Sequence, residues 1–265
     1  MVFKMLDEEK IGKILKIAHE AGVAIMQYYH DYQKLEIITK SDNSPVTKAD
    51  LAANKIIVEG LLTLFPQVAI VSEENSEEEN LAAAKNDKYF LIDPLDGTKS
   101  FIKKLDEFTV NIALIIEGKT VFGVIYAPAK DVIYFTNEKN QAIRISDFSV
   151  VNQGVSVITT SKNKNNLKVI CTKREPEKSQ IIANLNAKNI AVSEVISIAS
   201  SYKFCLIADG FADFYPRQAN ISAWDIAAGH AIVKGAGGNV FNYGSLHEVE
   251  YKFDQNFDIP FFECY

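Results

Sequence analysis

The segment Asp93-Pro94-Leu95-Asp96-Gly97-Thr98 sets two carboxylates three residues apart, and Trp224-Asp225-Ile226-Ala227-Ala228-Gly229 supplies another aspartate far along the chain. Hard divalent cations such as Mg²⁺ take oxygen ligands, one or two carboxylates from each element, and keep positions for water and phosphate. Asp93 is placed to leave a strand, with Asp96 across a turn that Pro94 helps to hold by fixing φ. Asp93 can then bridge two cations while Asp96 reaches the second, and the Leu95 carbonyl offers a further oxygen. Gly97 allows close backbone approach to a phosphate, and the N–H groups of Gly97 and Thr98 face outward at a helix start. Two cations about 3.5–4 Å apart can hold the attacking and leaving oxygens of an in-line phosphoryl displacement. Glu73, at the end of another strand, is the candidate acceptor for the proton of the attacking water and a candidate ligand. The Thr98 hydroxyl can hold the same water, and Asp50 can orient Thr98.

Each of these features has a plain structural alternative. An isolated Asp-x-x-Asp is common, Thr47 and Asp50 suit helix capping, Trp224 suits a core, and Asp225 suits the N-cap of the helix that follows. Glu77, Glu78 and Glu79 read as a solvated surface. His19, His30, His230 and His247 are scattered and receive no role. Gly235-Ala236-Gly237-Gly238 follows a helix rather than a strand, so it reads as a C-cap and turn, not a nucleotide loop. A phosphatase of the Asp-x-Asp-Gly-Thr type is excluded because Pro94 stands where the nucleophilic aspartate would be.

The elements that position these residues follow from periodicity. Apolar residues at helical spacing (Ile11, Ile14, Leu15, Ala18, Ala21, Ile25) predict one amphipathic helix from residue 7 to about 32. A polar loop over 33–46 leads to Thr47 as an N-cap, with Asp50 completing a capping box. The helix that follows runs to Leu64, with Leu51, Ile56, Ile57, Leu61 and Leu62 as its buried side and Pro66 as its stop. Strands over 68–71 and 89–92 deliver Glu73 and Asp93, and a short helix starts at Gly97. Strand-like runs at 108–116, 121–126, 132–136 and 142–145 form an antiparallel meander. From about 155 an α/β pattern resumes, with strands at 155–160, 167–171 and 189–193 and helices at 177–185, 197–208 and 223–235. The pattern suggests layered helices and sheets in two subdomains, 1–150 and 151–265, that share one cleft.

Size and composition are compatible with this. The chain has 265 residues, 48% of them hydrophobic, enough for a sizeable core. A net charge of −6 with no basic run disfavours nucleic-acid binding. Cys171, Cys205 and Cys264 are odd in number and widely spaced, which argues for structural thiols in a reducing compartment. None opens a Cys-x5-Arg loop. The N-terminus does not read as a signal peptide, and the longest apolar stretch is too short to span a bilayer. The sequence therefore predicts a soluble, cytoplasmic protein whose membrane association, if any, is peripheral.

Together, Ser44-Pro45-Val46-Thr47-x-Ala49-Asp50, Ser72-Glu73-Glu74, Asp93 to Thr98, and Trp224-Asp225-x-Ala227-Ala228-Gly229-His230 resemble the inositol monophosphatase superfamily of Mg²⁺-dependent, lithium-sensitive phosphatases. The match runs from about residue 40 to 240. Within it, Lys99 to Ile115, Gly123 to Pro128, Ser200 to Leu206 and Tyr215-Pro216-Arg217 look most like the CysQ-type 3′(2′),5′-bisphosphate nucleotidases. The resemblance implies an α+β fold, a layered α/β/α/β/α sandwich of the sugar-phosphatase type. It implies removal of the 3′-phosphate of adenosine 3′,5′-bisphosphate (PAP), giving AMP and phosphate, with two or three Mg²⁺ ions and inhibition by Li⁺. It implies Glu73, Asp93, the Leu95 carbonyl, Asp96 and Asp225 as metal ligands, with Asp50 and Thr98 assisting the water. Ser200, Lys203 and Arg217 would hold the nucleotide, since a second phosphate needs cations away from the metals. With Glu73, Leu95, Asp96, Gly97, Thr98 and Asp225 they complete the implied substrate contacts. Monomers are the usual form of such nucleotidases, and dimers occur in the superfamily.

Two departures fall where the nucleoside should sit. Ser161 is followed by Lys162, where related nucleotidases often carry a histidine near this loop, and Gln218 to Ala223 lacks a Gly-Pro-Thr. Inositol monophosphate and fructose 1,6-bisphosphate are the alternative substrates for the same chemistry. A non-catalytic nucleotide or metal sensor is the alternative of a different class.

Overall fold

The computed structural model describes residues 5–31, 37–39, 45–149, 154–172 and 177–265. Its helices are α1 (Glu8–His30), α2 (Lys48–Leu64), α3 (Glu77–Ala84), α4 (Thr98–Ile102), α5 (Glu177–Ala187), α6 (Tyr202–Ala208) and α7 (Ala227–Gly235). The first strands are β1 (Ile37–Thr39), β2 (Pro45–Thr47), β3 (Ala69–Ser72), β4 (Lys88–Asp96), β5 (Thr109–Ile116) and β6 (Lys119–Ala127). Then come β7 (Val132–Thr136), β8 (Ala142–Ser146), β9 (Val155–Val157), β10 (Leu167–Cys171) and β11 (Val192–Ser197). The C-terminal region adds β12 (Tyr215–Arg217), β13 (Ile221–Ser222), β14 (Val240–Asn242), β15 (Asp258–Ile259) and β16 (Phe262–Cys264).

A seven-stranded sheet in the order β3-β4-β5-β6-β7-β8-β9 forms the centre. Only its β3–β4 pair is parallel; the meander from β4 to β9 is antiparallel throughout. Alternation along the strands separates two cores. Phe90, Ile92, Val110, Ile112 and Leu114 pack with α1 and α2 on one face. Leu91, Ala113 and Ile115 pack with α6 and α7 on the other. Beyond those helices lie β10–β11 and the β12-β16-β14 sheet, and α5 covers Val169 and Cys171 from outside through Ile181 and Leu185. The layers therefore run α, β, α, β, α.

Several expectations are corrected in detail. On α2 the buried stripe is Ala49, Ala53, Ile57 and Leu61, a strict four-residue spacing. Leu51 and Leu62 fall off that stripe and are each 45% exposed. The strand expected at 189–193 lies at Val192–Ser197, because Asn189 takes a left-handed φ of 54° in the turn that closes α5. The helix expected at 197–208 starts only at Tyr202, because Ser200 has φ 57° and interrupts the backbone there. Glu77, Glu78 and Glu79 are exposed as expected, yet they form the first turn of α3, which Ser76 and Glu79 close with a capping box. Asp225 sits in a 3-10 turn and does not cap α7, whose N-cap is Ile226. Most of the polar loop 33–46, including Ser44, lies outside the described residues, and its described ends pair antiparallel as β1 and β2. The three cysteines are buried, and none of them is in a disulfide.

Candidate metal centre and active site

The parallel pairing of β3 with β4 brings two carboxyl-terminal strand ends side by side, with Ser72 opposite Ile92. Glu73 follows immediately, and its N–H donates to the Ile92 carbonyl at 3.2 Å. Ser72 anchors the turn. Its N–H donates to Asn80 Oδ1 at 2.9 Å, its carbonyl accepts from Asn80 Nδ2 at 2.7 Å, and its hydroxyl donates to Asn54 at 2.8 Å. A charged side chain is thus delivered from a pinned backbone to the neighbourhood of Asp93.

Past Asp93 the β4–β5 register breaks, resuming at Asp96 opposite Thr109. The Leu95 N–H donates to Asp93 Oδ1 at 3.0 Å, which closes the turn around Pro94. Gly97 then adopts φ +92°, and a Cβ there would lie 2.7 Å from the Glu107 carbonyl, so a larger residue fails on both counts. Thr98 opens α4 immediately afterwards.

Asp225 arrives from the other half of the chain. Its turn is carried by α7, which lies directly on β6: a Cβ on Gly123 would sit 2.3 Å from the Ala228 carbonyl. The Thr120 hydroxyl donates to the Ala227 carbonyl at 3.0 Å and fixes the same approach. Trp224 packs on the core and on Phe257, with ring centroids 5.4 Å apart.

Asp93, Asp96 and Asp225 consequently offer carboxylate oxygens that all lie within 4.8 Å of one another. Asp93 is fully buried, and among the described residues its Oδ2 has no hydrogen-bond donor. Burial, then repulsion from Glu73, Asp96 and Asp225, holds the Asp93 carboxyl well above the usual range. Asp225 is raised well above it too, by burial and then by Asp96 and Glu73. Asp96 is raised by burial, an effect opposed by the Lys203 ammonium and by hydrogen bonds from Ser201. Like charges gathered in one protein-walled place are costly without a cation. An all-oxygen donor set, an orphaned buried carboxylate oxygen and mutual repulsion together fit a hard divalent cation.

Asp50 lies beside this cluster as the third residue of α2. Its Oδ2 accepts from the Thr47 N–H at 2.7 Å and the Thr47 hydroxyl at 2.6 Å, and its Oδ1 accepts from the Thr98 hydroxyl at 3.2 Å. Thr98 also reaches the Leu95 carbonyl at 3.2 Å. Burial pushes Asp50 up to about 6, with Thr47 pulling down and Glu73 adding repulsion. Ser200 and Lys203 stand at the entry to α6, both buried, with the Lys203 ammonium donating to the Ser200 carbonyl at 2.5 Å. That ammonium lies 5.4 Å from the Tyr215 ring, and Arg217 stands two residues further along β12.

Asp93, Asp96 and Asp225 therefore meet, Glu73 acts on all three, and Thr98, Asp50 and Leu95 form a connected group at their edge. Lys203 is tied to the cluster by its charge on Asp96. The Arg217 guanidinium donates to the Asn220 carbonyl at 3.3 Å. Ser201, Thr109 and Asn111, which spacing does not single out, carry the bonds behind Asp96. Thr109 and Asn111 fall within the Lys99 to Ile115 stretch, but no local pattern marks them.

A model of the inositol monophosphatase family matches residues 7–251. The 3′(2′),5′-bisphosphate nucleotidase CysQ of Escherichia coli strain K12 is 38% identical over 237 residues, spanning 88% of this chain and 90% of that protein. The protein of the same name from Buchnera aphidicola subsp. Acyrthosiphon pisum is 40% identical over 245 residues, spanning 89% and 84% respectively. The crystal structure of CysQ from Bacteroides thetaiotaomicron, a bacterial member of the inositol monophosphatase family, superposes with a TM-score of 0.83 at 33% identity, covering 98% of this chain and 97% of that one. With sequence motifs, layer order and whole-chain similarity in agreement, this chain belongs to the inositol monophosphatase family.

Proposed function

We propose that this protein is a 3′(2′),5′-bisphosphate nucleotidase that hydrolyses the 3′-phosphate of PAP to give AMP and phosphate. The observation that carries this reading is the meeting of Asp93, Asp96 and Asp225 beside the Asp50–Thr98 pair, in a chain 38% identical to a bisphosphate nucleotidase over most of both lengths. Glu73, Asp93, the Leu95 carbonyl, Asp96 and Asp225 would hold the cations, proposed to be two or three Mg²⁺ ions that Li⁺ would antagonise. When bound, these ions supply neutralisation of phosphoryl charge and acidification of water.

The protein's own groups do the rest. Asp50, ionised, accepts from the Thr98 hydroxyl and leaves the threonine oxygen free to accept a hydrogen bond from water. Glu73 takes the water proton as the oxygen attacks phosphorus and the bond to O3′ breaks, and the departing O3′ takes up a proton from solvent to become the 3′-hydroxyl of AMP. The Gly97 and Thr98 N–H groups face the phosphate being transferred. Ser200, Lys203 and Arg217 are proposed to receive the phosphate that is not transferred. Both halves, 1–150 and 151–265, would contribute to one cleft, since Asp225 belongs to the second. Among the described residues no helix is long and apolar enough to cross a membrane. A cytoplasmic monomer is the proposed working form, acting on a small nucleotide rather than on nucleic acid.

Phosphate release from PAP, its 5′-phosphosulfate analogue PAPS, inositol 1-phosphate and fructose 1,6-bisphosphate, each with Mg²⁺, tests this proposal. PAP should be turned over with the highest kcat/KM. A higher value for inositol 1-phosphate would reassign the substrate while leaving the metal centre intact.

A further inference from the structure

Behind the acidic cluster lie three buried polar side chains with no part in the steps above. Thr109 and Asn111 project from β5, and Ser201 immediately precedes α6; their exposures are 0%, 0% and 2%. The Ser201 hydroxyl donates to Asn111 Oδ1 at 2.7 Å and meets the Thr109 hydroxyl at 2.8 Å. The backbone N–H of the same serine donates to Asp96 Oδ2 at 2.5 Å. Oδ1 of Asn111 is the end bonded to Ser201, which leaves the amide nitrogen on the other side. That nitrogen is buried and has no acceptor among the described residues.

The residue facing Asn111 across the β4–β5 pair is Asp93. Directly opposed residues of an antiparallel pair share one face of the sheet, with Cβ atoms about 4.5–5.5 Å apart. Asp93 Oδ2 is likewise buried and has no donor among the described residues. An orphaned donor and an orphaned acceptor thus occupy facing positions, and buried polar groups are rarely left without partners.

We propose that Asn111 is a positioning residue for Asp93. Its amide nitrogen steadies the Oδ2 edge of that carboxylate when the site is loaded, while Ser201, backed by Thr109, holds the amide oxygen and the Ser201 N–H holds Asp96. A neutral donor suits this place. A lysine would compete with the cation, and an aspartate would add to the repulsion already raising Asp93. Ser201 also adjoins Ser200 and is two residues from Lys203, so one rigid turn ties both β4 carboxylates to the residues proposed for the second phosphate. The inference rests on the metal-centre reading above.

The test is calorimetric titration of Mg²⁺ into the substrate-free protein, with the melting temperature measured separately in EDTA. Asn111→Leu should weaken Mg²⁺ binding about 10- to 100-fold, the usual range for losing a group that orients a ligand. Ser201→Ala should weaken it in the same direction, and the double variant should bind no more weakly than Asn111→Leu alone, because both act through one amide. A folded Asn111→Leu protein whose melting temperature falls while its Mg²⁺ affinity stays within about twofold of wild type overturns the proposal. If Asn111→Leu does not fold, unchanged affinity in Ser201→Ala overturns it instead. Wild type and Asp93→Asn serve as controls. Failure of wild type to bind Mg²⁺, or equal binding by Asp93→Asn, overturns the metal-centre reading and this inference with it.

Discussion

The Thr98 hydroxyl and Asp50 Oδ1 lie 3.2 Å apart, and the other oxygen of Asp50 is already committed to the capping box of α2. One carboxylate therefore starts a helix and orients a hydroxyl that belongs to another segment. Its rotamer is set by the cap, so the proposed water-orienting pair inherits its geometry from secondary structure. Thr98→Val should lower kcat by about 10²- to 10³-fold with little change in Mg²⁺ binding, and Thr98→Ser should restore most of it. Asp50→Asn should cost a similar factor. The double variant should be little worse than either single one, because both remove the same water-orienting unit. Additive losses, measured as kcat/KM in phosphate release, would separate the two residues.

Asp93 sits at the centre of a set of mutually repelling carboxylates. Asp93→Asn should reduce activity by at least about 10²-fold, since several kcal/mol of barrier depends on cation-borne charge stabilisation. The same change relieves repulsion in the metal-free state. Its melting temperature in EDTA should equal or exceed that of wild type, while the Mg²⁺-dependent increase should disappear. A variant that is less stable in EDTA and still stabilised by Mg²⁺ would contradict the account.

Metal binding should displace protons, because Asp93 and Asp225 are held above the usual carboxylate range when no cation is present. Both must be ionised to act as ligands, so the Mg²⁺ affinity should rise with pH and fall as the solution is acidified. At a free Mg²⁺ concentration of about 100 Kd the stabilisation should reach about 2.7 kcal/mol. Calorimetry in two buffers of different ionisation enthalpy measures the proton count directly. A count that does not grow as the pH is lowered would contradict the raised carboxylates.

His230 gives a pH effect away from the metal centre. Its ring is buried on α7, with Nδ1 3.0 Å from the Tyr251 hydroxyl and Nε2 without a partner among the described residues. Burial lowers its pKa from about 6.5 to about 4, with Glu248 pulling up and Lys234 pushing down. The unfolded chain takes up a proton as pH falls through about 6.5, and the folded one does so only near 4. Stability is therefore lost on acidification across that window, with a slope of up to about 1.4 kcal/mol per pH unit from this group. Denaturant unfolding of His230→Asn should show a shallower loss than wild type between pH 6.5 and 4.5, a window inside the shift. Parallel curves would rule out a neutral buried imidazole.

The sequence made the chemistry legible where one residue type has one local job. The Thr47–Asp50 box, the Asp93–Thr98 turn and the β5–β8 meander all express short-range rules, and each is found where spacing puts it. What stayed hidden depends on contacts between distant segments. Nothing near Ser200 announces a left-handed backbone, which follows from its place against Gly97 (a Cβ there would lie 3.3 Å from the Ser200 Cβ). Leu51 and Leu62 are hydrophobic but stand off the i, i+4 stripe of α2, whose small Ala49 and Ala53 let the helix lie close instead. β14, β15 and β16 are two- or three-residue strands, too short to carry a period. Thr109, Asn111 and Ser201 read locally as ordinary strand and turn residues; only pairing across β4, β5 and α6 gathers them.

The most direct measurement is release of phosphate from PAP by the wild-type protein with Mg²⁺, compared with EDTA and with Asp225→Asn. Because Asp225 comes from a segment more than a hundred residues beyond Asp93 and Asp96, its loss tests their convergence itself. Rapid Mg²⁺-dependent release of one phosphate per PAP, abolished by EDTA and reduced at least about 10²-fold in Asp225→Asn, is the expected result. Undiminished release in EDTA, or full activity in Asp225→Asn, would contradict the account.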